Sequence, residues 1–359
     1  MFLLSIFVYA ESKVNQKTEW KGKIIKDGDV TVVKNPKEPI YRSNILSFKE
    51  EWVLGGAKAK PESTFSQVRH IVVDELENIY VLDFKESNIR VFDKAGRYLR
   101  TIGRAGQGPQ ELSSPLRLSI NKTKKELMVS QVPRRVTFFG LDGEFLRVLN
   151  TGARWTPQAE IDSFGNMVGM EAIVGPPESW FVLNKYDGAM NLIAELAKKP
   201  APNPMAFNPF APIPVWDLDD HDNIIFGYPE KYEILLINPQ NKIKKVIMKD
   251  YDPVEVESSE MEEYKKSDLP GVKYDFSKSH SAFQNFAVDD LGRLFVRTWS
   301  PAPNKVDFLY DLFDGEGRYL ATMPIKGRLM VVKKGKIYSL EEDEEGYHVV
   351  RCYKATWKF

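Results

Sequence analysis

The stretch from His70 to Gly103, HIVVDELENIYVLDFKESNIRVFDKAGRYLRTIG, decides the fold. It holds four short β-rich runs: Ile71–Val73, Ile79–Asp83, Ile89–Phe92 and Tyr98–Ile102. The intervals between them are too short for anything but tight turns, and Lys94-Ala95-Gly96 carries the third. Such a unit is a four-stranded antiparallel meander.

The same pattern recurs along the chain. A second copy runs through Leu116–Ile120, Glu126–Ser130, Arg135–Phe139 and Phe145–Leu149, turning at Leu141-Asp142-Gly143. A third follows from Gln158 to Leu196, a fourth from Val215 to Met248 and a fifth from Asn285 to Met323. The sixth, Leu329–Val332, Lys336–Leu340 and Tyr347–Tyr353, lacks a fourth strand. Second strands aligned at Asn78, Glu126, Asn166, Asn223, Arg293 and Lys336 are spaced by 48, 40, 57, 70 and 43 residues. Units of roughly 40 to 50 residues, each a four-stranded sheet, are the signature of a β-propeller. The predicted fold is therefore all-β, a six-bladed β-propeller of four-stranded antiparallel blades.

The sixth copy needs a donor strand, and Ile45–Gly55 supplies one, so an N-terminal strand is expected to complete the last blade and close the ring. Closure of this kind removes the free sheet edges that an open ring exposes. Residues 45–359 then form the propeller domain. Residues 11–44 form an extension whose hairpin, Gly22–Ile25 and Asp29–Val33 around Asp27-Gly28, is expected outside the ring. The two long spacings hold insertions at 199–214 and 252–282. The first has prolines at 200, 202, 204, 209, 212 and 214, which keep it out of any ladder. In the second, Ser259-Glu260-Met261-Glu262 reads as a capping box before a short helix with a Glu262 to Lys266 pair.

Fifty basic and fifty acidic side chains give a formal charge of zero in 359 residues. No overall basic field attracts the chain to nucleic acid or anionic lipid. Residues 1–10 form an uncharged apolar run, too short to span a bilayer. Val8 and Ala10 place small side chains before Glu11 as a secretory cleavage site does, so the expected address is secreted or periplasmic. The single cysteine, Cys352, closes no internal disulfide and reads as an inert thiol in the last strand. A monomer is expected.

The stretches Asp74–Asp83, Phe92–Gly103 and Gly106-Gln107-Gly108-Pro109-Gln110-Glu111-Leu112 resemble NHL-type repeats of the secreted bacterial six-bladed propellers. The resemblance implies a scaffold used mostly for binding, and in some relatives for lyase or esterase chemistry. It assigns no catalytic residue.

Inner strands line the channel of such a fold, and their side chains alternate between two faces. One column is apolar, from Ile71 and Val73 to Phe286 and Val288, and is expected to pack between blades. The other gathers His70, Arg117, Gln158, Glu160, Asp217 and Asn285, the candidate ligand-binding ring at the channel mouth. The insertions are expected to wall a pocket over that mouth with Phe207, Phe210, Tyr274, Phe276 and His280. Four histidines, with His221 in a turn and His348 in a third strand, do not supply a three-histidine zinc site. Glu160, Asp217 and Asn285 offer the hard oxygens that Ca²⁺ prefers. Two readings follow: a binding scaffold for a protein, peptide or glycan partner, or a calcium-assisted hydrolase or lactonase that polarises an ester carbonyl. A purely structural repeat module is the third.

Overall fold

The computed structural model describes residues 17–359 except 43, 152–157, 176–177, 203–205, 267–272 and 303–306. The expected signal segment, residues 1–10, lies outside the described residues. Six sheets stand around a central channel, each with its strands in meander order. Their inner strands are Val68–Val73, Pro115–Asn121, Glu160–Ile161, Val215–Leu218, Asn285–Val288 and Arg328–Lys333, for blades one to six. The inner strand of blade six packs beside that of blade one.

The ring closes as the sequence pattern requires. Leu46–Gly55 pairs antiparallel with His348–Trp357, from Trp357 opposite Leu46 to Val349 opposite Gly55. The N-terminal hairpin, Lys23–Asp27 and Val30–Asn35, lies outside the ring but not free of it. Val30–Asn35 runs parallel to the outer strand of blade four, Ile243–Lys249, with Val33 opposite Ile247, and makes that blade six-stranded. Asn35 stitches it down: its Nδ2 donates to Gly317 O at 2.9 Å, and its Oδ1 accepts the Tyr319 N–H at 2.8 Å. An edge that would otherwise face solvent is thereby covered.

The recurrent aspartate has a structural cause. In blade one Asp74 Oδ1 accepts the N–H groups of Leu76 and Asn78, while Oδ2 takes the Asn78 side-chain amide at 2.8 Å. Asp162, Asp219 and Asp289 do the same in blades three, four and five, with Asn166, Asn223 and Arg293 as the side-chain partners. An aspartate that satisfies its own turn's donors fixes the first hairpin of these four blades. Blade six instead turns through Lys334 and Gly335, both at positive φ (51° and 70°), as a two-residue hairpin demands.

The apolar column packs between blades as expected. Ile71 and Val73 meet blade six, Leu118 lies in the core shared by blades one and two, and Trp216 joins blades three and four. Cys352 is fully buried in the core between blades six and one, and burial pushes its thiol up to about 12.

Candidate functional site

Six inner strands starting at one face and ending at the other give the channel three layers. A cavity of about 500 Å³ runs through them, and all six residues of the expected ring, His70, Arg117, Gln158, Glu160, Asp217 and Asn285, line it.

At the layer midway along the channel, Arg117 of blade two reaches Glu160 of blade three and Asp217 of blade four. The guanidinium pairs with Glu160 Oε1, and the same nitrogen lies 3.4 Å from Asp217 Oδ1. It also lies over the ring of Trp216, 5.1 Å from its centroid. Burial, followed by the charge of Glu160, pushes the Asp217 carboxyl up to about 8, and burial also raises Glu160 against the pull of Arg117. Near neutral pH the two carboxyls therefore share one proton, and one guanidinium balances the remaining charge. This arrangement does not fit calcium. The guanidinium already occupies the place between the two carboxyls that a cation would take, and burial has protonated one of the ligands. Among the described residues, no group of three or more His, Cys, Asp or Glu side chains is gathered for a metal.

At the far end, where the inner strands turn back, ion pairs cross the channel. Lys333 Nζ of blade six contacts Glu75 Oε1 of blade one at 2.8 Å and Asp220 Oδ2 of blade four at 3.4 Å. Lys122 of blade two pairs with the other oxygen of Asp220. Burial works to lower the Lys333 pKa, yet these acids hold it above its ordinary value.

The mouth is different in kind. His70 accepts the Leu118 N–H on Nδ1 at 3.4 Å. Burial, with Arg117, Arg328 and Arg69 around it, holds His70 well below the usual histidine range, so it stays neutral. Arg69 and Arg328 line the cavity with it. Both also line an adjoining groove of about 780 Å³ that contains Arg297. The sequence reading missed these three arginines. Alternation assigns Arg69 to the apolar column, but a register shift between Val68 and His70 swings it to the channel. Arg328 precedes the run read as the sixth inner strand, and Arg297 sits on a second strand opposite Asn285.

The expected wall takes another form. The two insertions join the same face, and Phe207 pairs with Lys273 and Asp275 across them. Phe210 is buried against Tyr264, Phe276 and His280, with centroids 5.4, 6.0 and 5.2 Å away. Tyr274 stacks on Phe276, and His280 stacks on Trp299 at 4.1 Å. Phe207, Phe210, Tyr274, Phe276 and His280 are thus brought together, but as a small core of their own, and none of them lines the channel cavity. Aromatic rings on proline-pinned loops bury most area by facing each other. The helix is Ser258–Lys266, and its cap lies two residues before the expected one: the Glu257 N–H donates to Glu260 Oε2. Glu262 pairs with Lys265 rather than Lys266. His348, in the third strand of blade six, accepts the Val68 N–H at 2.9 Å, and His221 lies in the blade-four turn at the far face.

Fold and channel together define a six-bladed propeller with a polar axial cavity open toward the insertion face. The chain belongs to the family described as DUF5128: 6-bladed beta-propeller, which matches residues 59–278. It is similar to the crystal structure of an inferred exported protein of Bacteroides fragilis NCTC 9343, with TM-score 0.62 and 14% identity over 92% of this chain and 100% of that one. A DUF4221 family member from Bacteroides vulgatus ATCC 8482 is similar with TM-score 0.55 and 12% identity over 88% and 99% of the two chains. At these identities the likeness carries the fold alone. The curated proteins contain no match to the sequence. Among the described residues, no helix is long and apolar enough to cross a membrane.

Proposed function

We propose that this protein is an extracytoplasmic binding propeller, whose ligand, part of a protein, peptide or glycan partner, enters the channel mouth on the insertion face. The observation that carries the reading is the Arg117, Glu160 and Asp217 cluster. Acids that a hydrolase would direct at a metal or substrate are here spent on one another and on a fixed guanidinium, which leaves a rigid polar floor beneath an open mouth. The apolar run at residues 1–10 and the inferred export of one structural relative support the address. The NHL-type character of blade one belongs to the same proposal, as does the monomeric state.

The test is a panel of defined envelope-type glycans and short peptides, probed with the wild-type chain and with Asn285→Trp. The bulky ring is placed to fill the mouth without touching the blade cores. The expected result is a ligand bound by the wild type and lost in Asn285→Trp at unchanged melting temperature. Calcium-dependent cleavage of an ester or lactone, abolished by Asp217→Asn, would overturn the reading in favour of the hydrolase.

A further inference from the structure

We infer that the mouth is an anion site formed by Arg69, Arg297 and Arg328, and that its ligand is a carboxylate on a hydroxylated body, an acidic sugar of the uronate type. This deepens the binding reading above and rests on it.

Elsewhere in the chain, buried cations are matched by acids. Arg293 lies 2.6 Å from Asp289, Lys185 lies 2.9 Å from Asp162, and Lys249 lies 3.1 Å from Asp311. A buried charge without a partner is costly, so such matching is what folding alone selects. At the mouth the half-buried Arg297 and Arg328 depart from this matching, and the exposed Arg69 adds a solvated charge beside them. Among the described residues, no carboxylate pairs with Arg69, Arg297 or Arg328 at ion-pair distance. The Nε atoms of Arg297 and Arg328 are buried without a hydrogen-bond partner, as are those of Arg100, Arg117 and Arg135, but those three place other guanidinium nitrogens on Leu141 O, Glu160 and Gln107 O. Burial lowers the pKa of both; a neighbouring arginine lowers each further, while the Tyr310 hydroxyl works the other way on both.

Arg297 is also held in place. The Arg297 guanidinium lies over the Phe308 ring, 3.6 Å from its centroid, so its face is covered. Planar forks fixed in this way match a carboxylate, which accepts paired N–H donors, better than a mobile ammonium does.

The rest of the cavity selects the body of the ligand. Gln158 and Asn285 each donate and accept, and neutral His70, whose Nδ1 is already an acceptor, presents Nε2–H as a donor. Such groups suit hydroxyls. The aromatic face of Trp216 is covered by Arg117, so that ring is not offered to a ligand. The acidic floor of Glu160 and Asp217 repels a carboxylate pushed inward but can hydrogen-bond a hydroxyl. The carboxylate therefore stays at the arginine rim with the hydroxylated ring below it. A volume of about 500 Å³ is adequate for a saccharide ligand.

The experiment is calorimetric titration of galacturonate, glucuronate, galactose, inorganic sulfate and a Glu-terminated tripeptide into the full chain. It is repeated with R328Q, R69Q and, as a control on the far face, R97Q. The expected result is binding of at least one uronate, with galactose and sulfate at least tenfold weaker. R328Q should weaken uronate binding by about tenfold or more, the equivalent of about 1.4 kcal/mol, while R97Q leaves it unchanged. Melting curves show that each variant is folded. Equal binding of galactose and uronate, equal binding of sulfate, or an unchanged affinity in R328Q would overturn the inference. Tripeptide binding without uronate binding would overturn the sugar and leave the binding scaffold standing. So would a neutral ligand from the panel above that Asn285→Trp abolishes. Only the absence of any mouth-dependent ligand in both experiments defeats the two together.

Discussion

The two ends of the channel are built from the same six strands, yet they solve the problem of charge in opposite ways. At the turn end, Lys122 and Lys333 meet Asp220 and Glu75 across the channel, and each charge has its counterpart. At the mouth, half-buried Arg297 and Arg328 and exposed Arg69 gather near a neutral histidine, and among the described residues no carboxylate lies within ion-pair distance of them, although Glu341, Glu342, Asp343 and Glu344 line the adjoining groove. The closed end is what selection for stability produces. The open end carries a cost that makes sense when a ligand supplies the missing charge. Between them the Arg117 cluster divides the channel, balanced at neutral pH by one shared proton.

That contrast can be broken by substitution. The largest effect is expected at the divide. Arg117→Met leaves Glu160 and Asp217 without their cation, and breaking a buried pair from one side costs about 3 kcal/mol or more, readable as a lower urea midpoint. Lys333→Met at the closed end removes one of the two cations from each of Glu75 and Asp220, which keep Lys334 and Lys122. Because Glu75 is half exposed to water, the expected loss is smaller, about 1 to 2 kcal/mol. At the mouth, Arg328→Gln removes a half-buried charge that has no ion-pair partner and is repelled by Arg69, so stability should hold or rise slightly.

A pH series sharpens the same comparison. In the unfolded chain Asp217 ionises near 3.8, whereas in the folded protein burial and Glu160 push it up to about 8. Between those values the folded state binds more protons, so stability is greatest at the acidic side of the window and falls as pH rises through it. Asp217→Asn should flatten that slope, as chemical unfolding at several pH values between 5 and 8 would show. An unchanged slope would mean that the shared proton is not at this site.

Much of the fold was legible because it rests on local chemistry repeated. The Asp74 to Asn78 turn, with its donors satisfied by one carboxylate, recurs in blades three, four and five. The missing sixth strand had a visible donor because Leu46–Gly55 is β-rich and unpaired in its own neighbourhood. The partner of the N-terminal hairpin was not legible, since nothing in Val30–Asn35 names Ile243–Lys249 as the edge it joins. The mid-channel layer was legible from alternation. The rim was not, because the shift between Val68 and His70 breaks the period that would have revealed Arg69, and Arg297 reaches the rim from a second strand. The aromatic insertions were read correctly as neighbours, but their rings satisfy each other rather than the channel.

The most direct test of the asymmetry is the unfolding free energy, without ligand, of Arg328→Gln and Lys333→Met measured side by side. The expected result is opposite behaviour: Arg328→Gln as stable as the wild type or more so, and Lys333→Met clearly less stable. A matching loss in both would show that the mouth arginines are structural partners like those of the far end, and that the mouth is not held open for an anion.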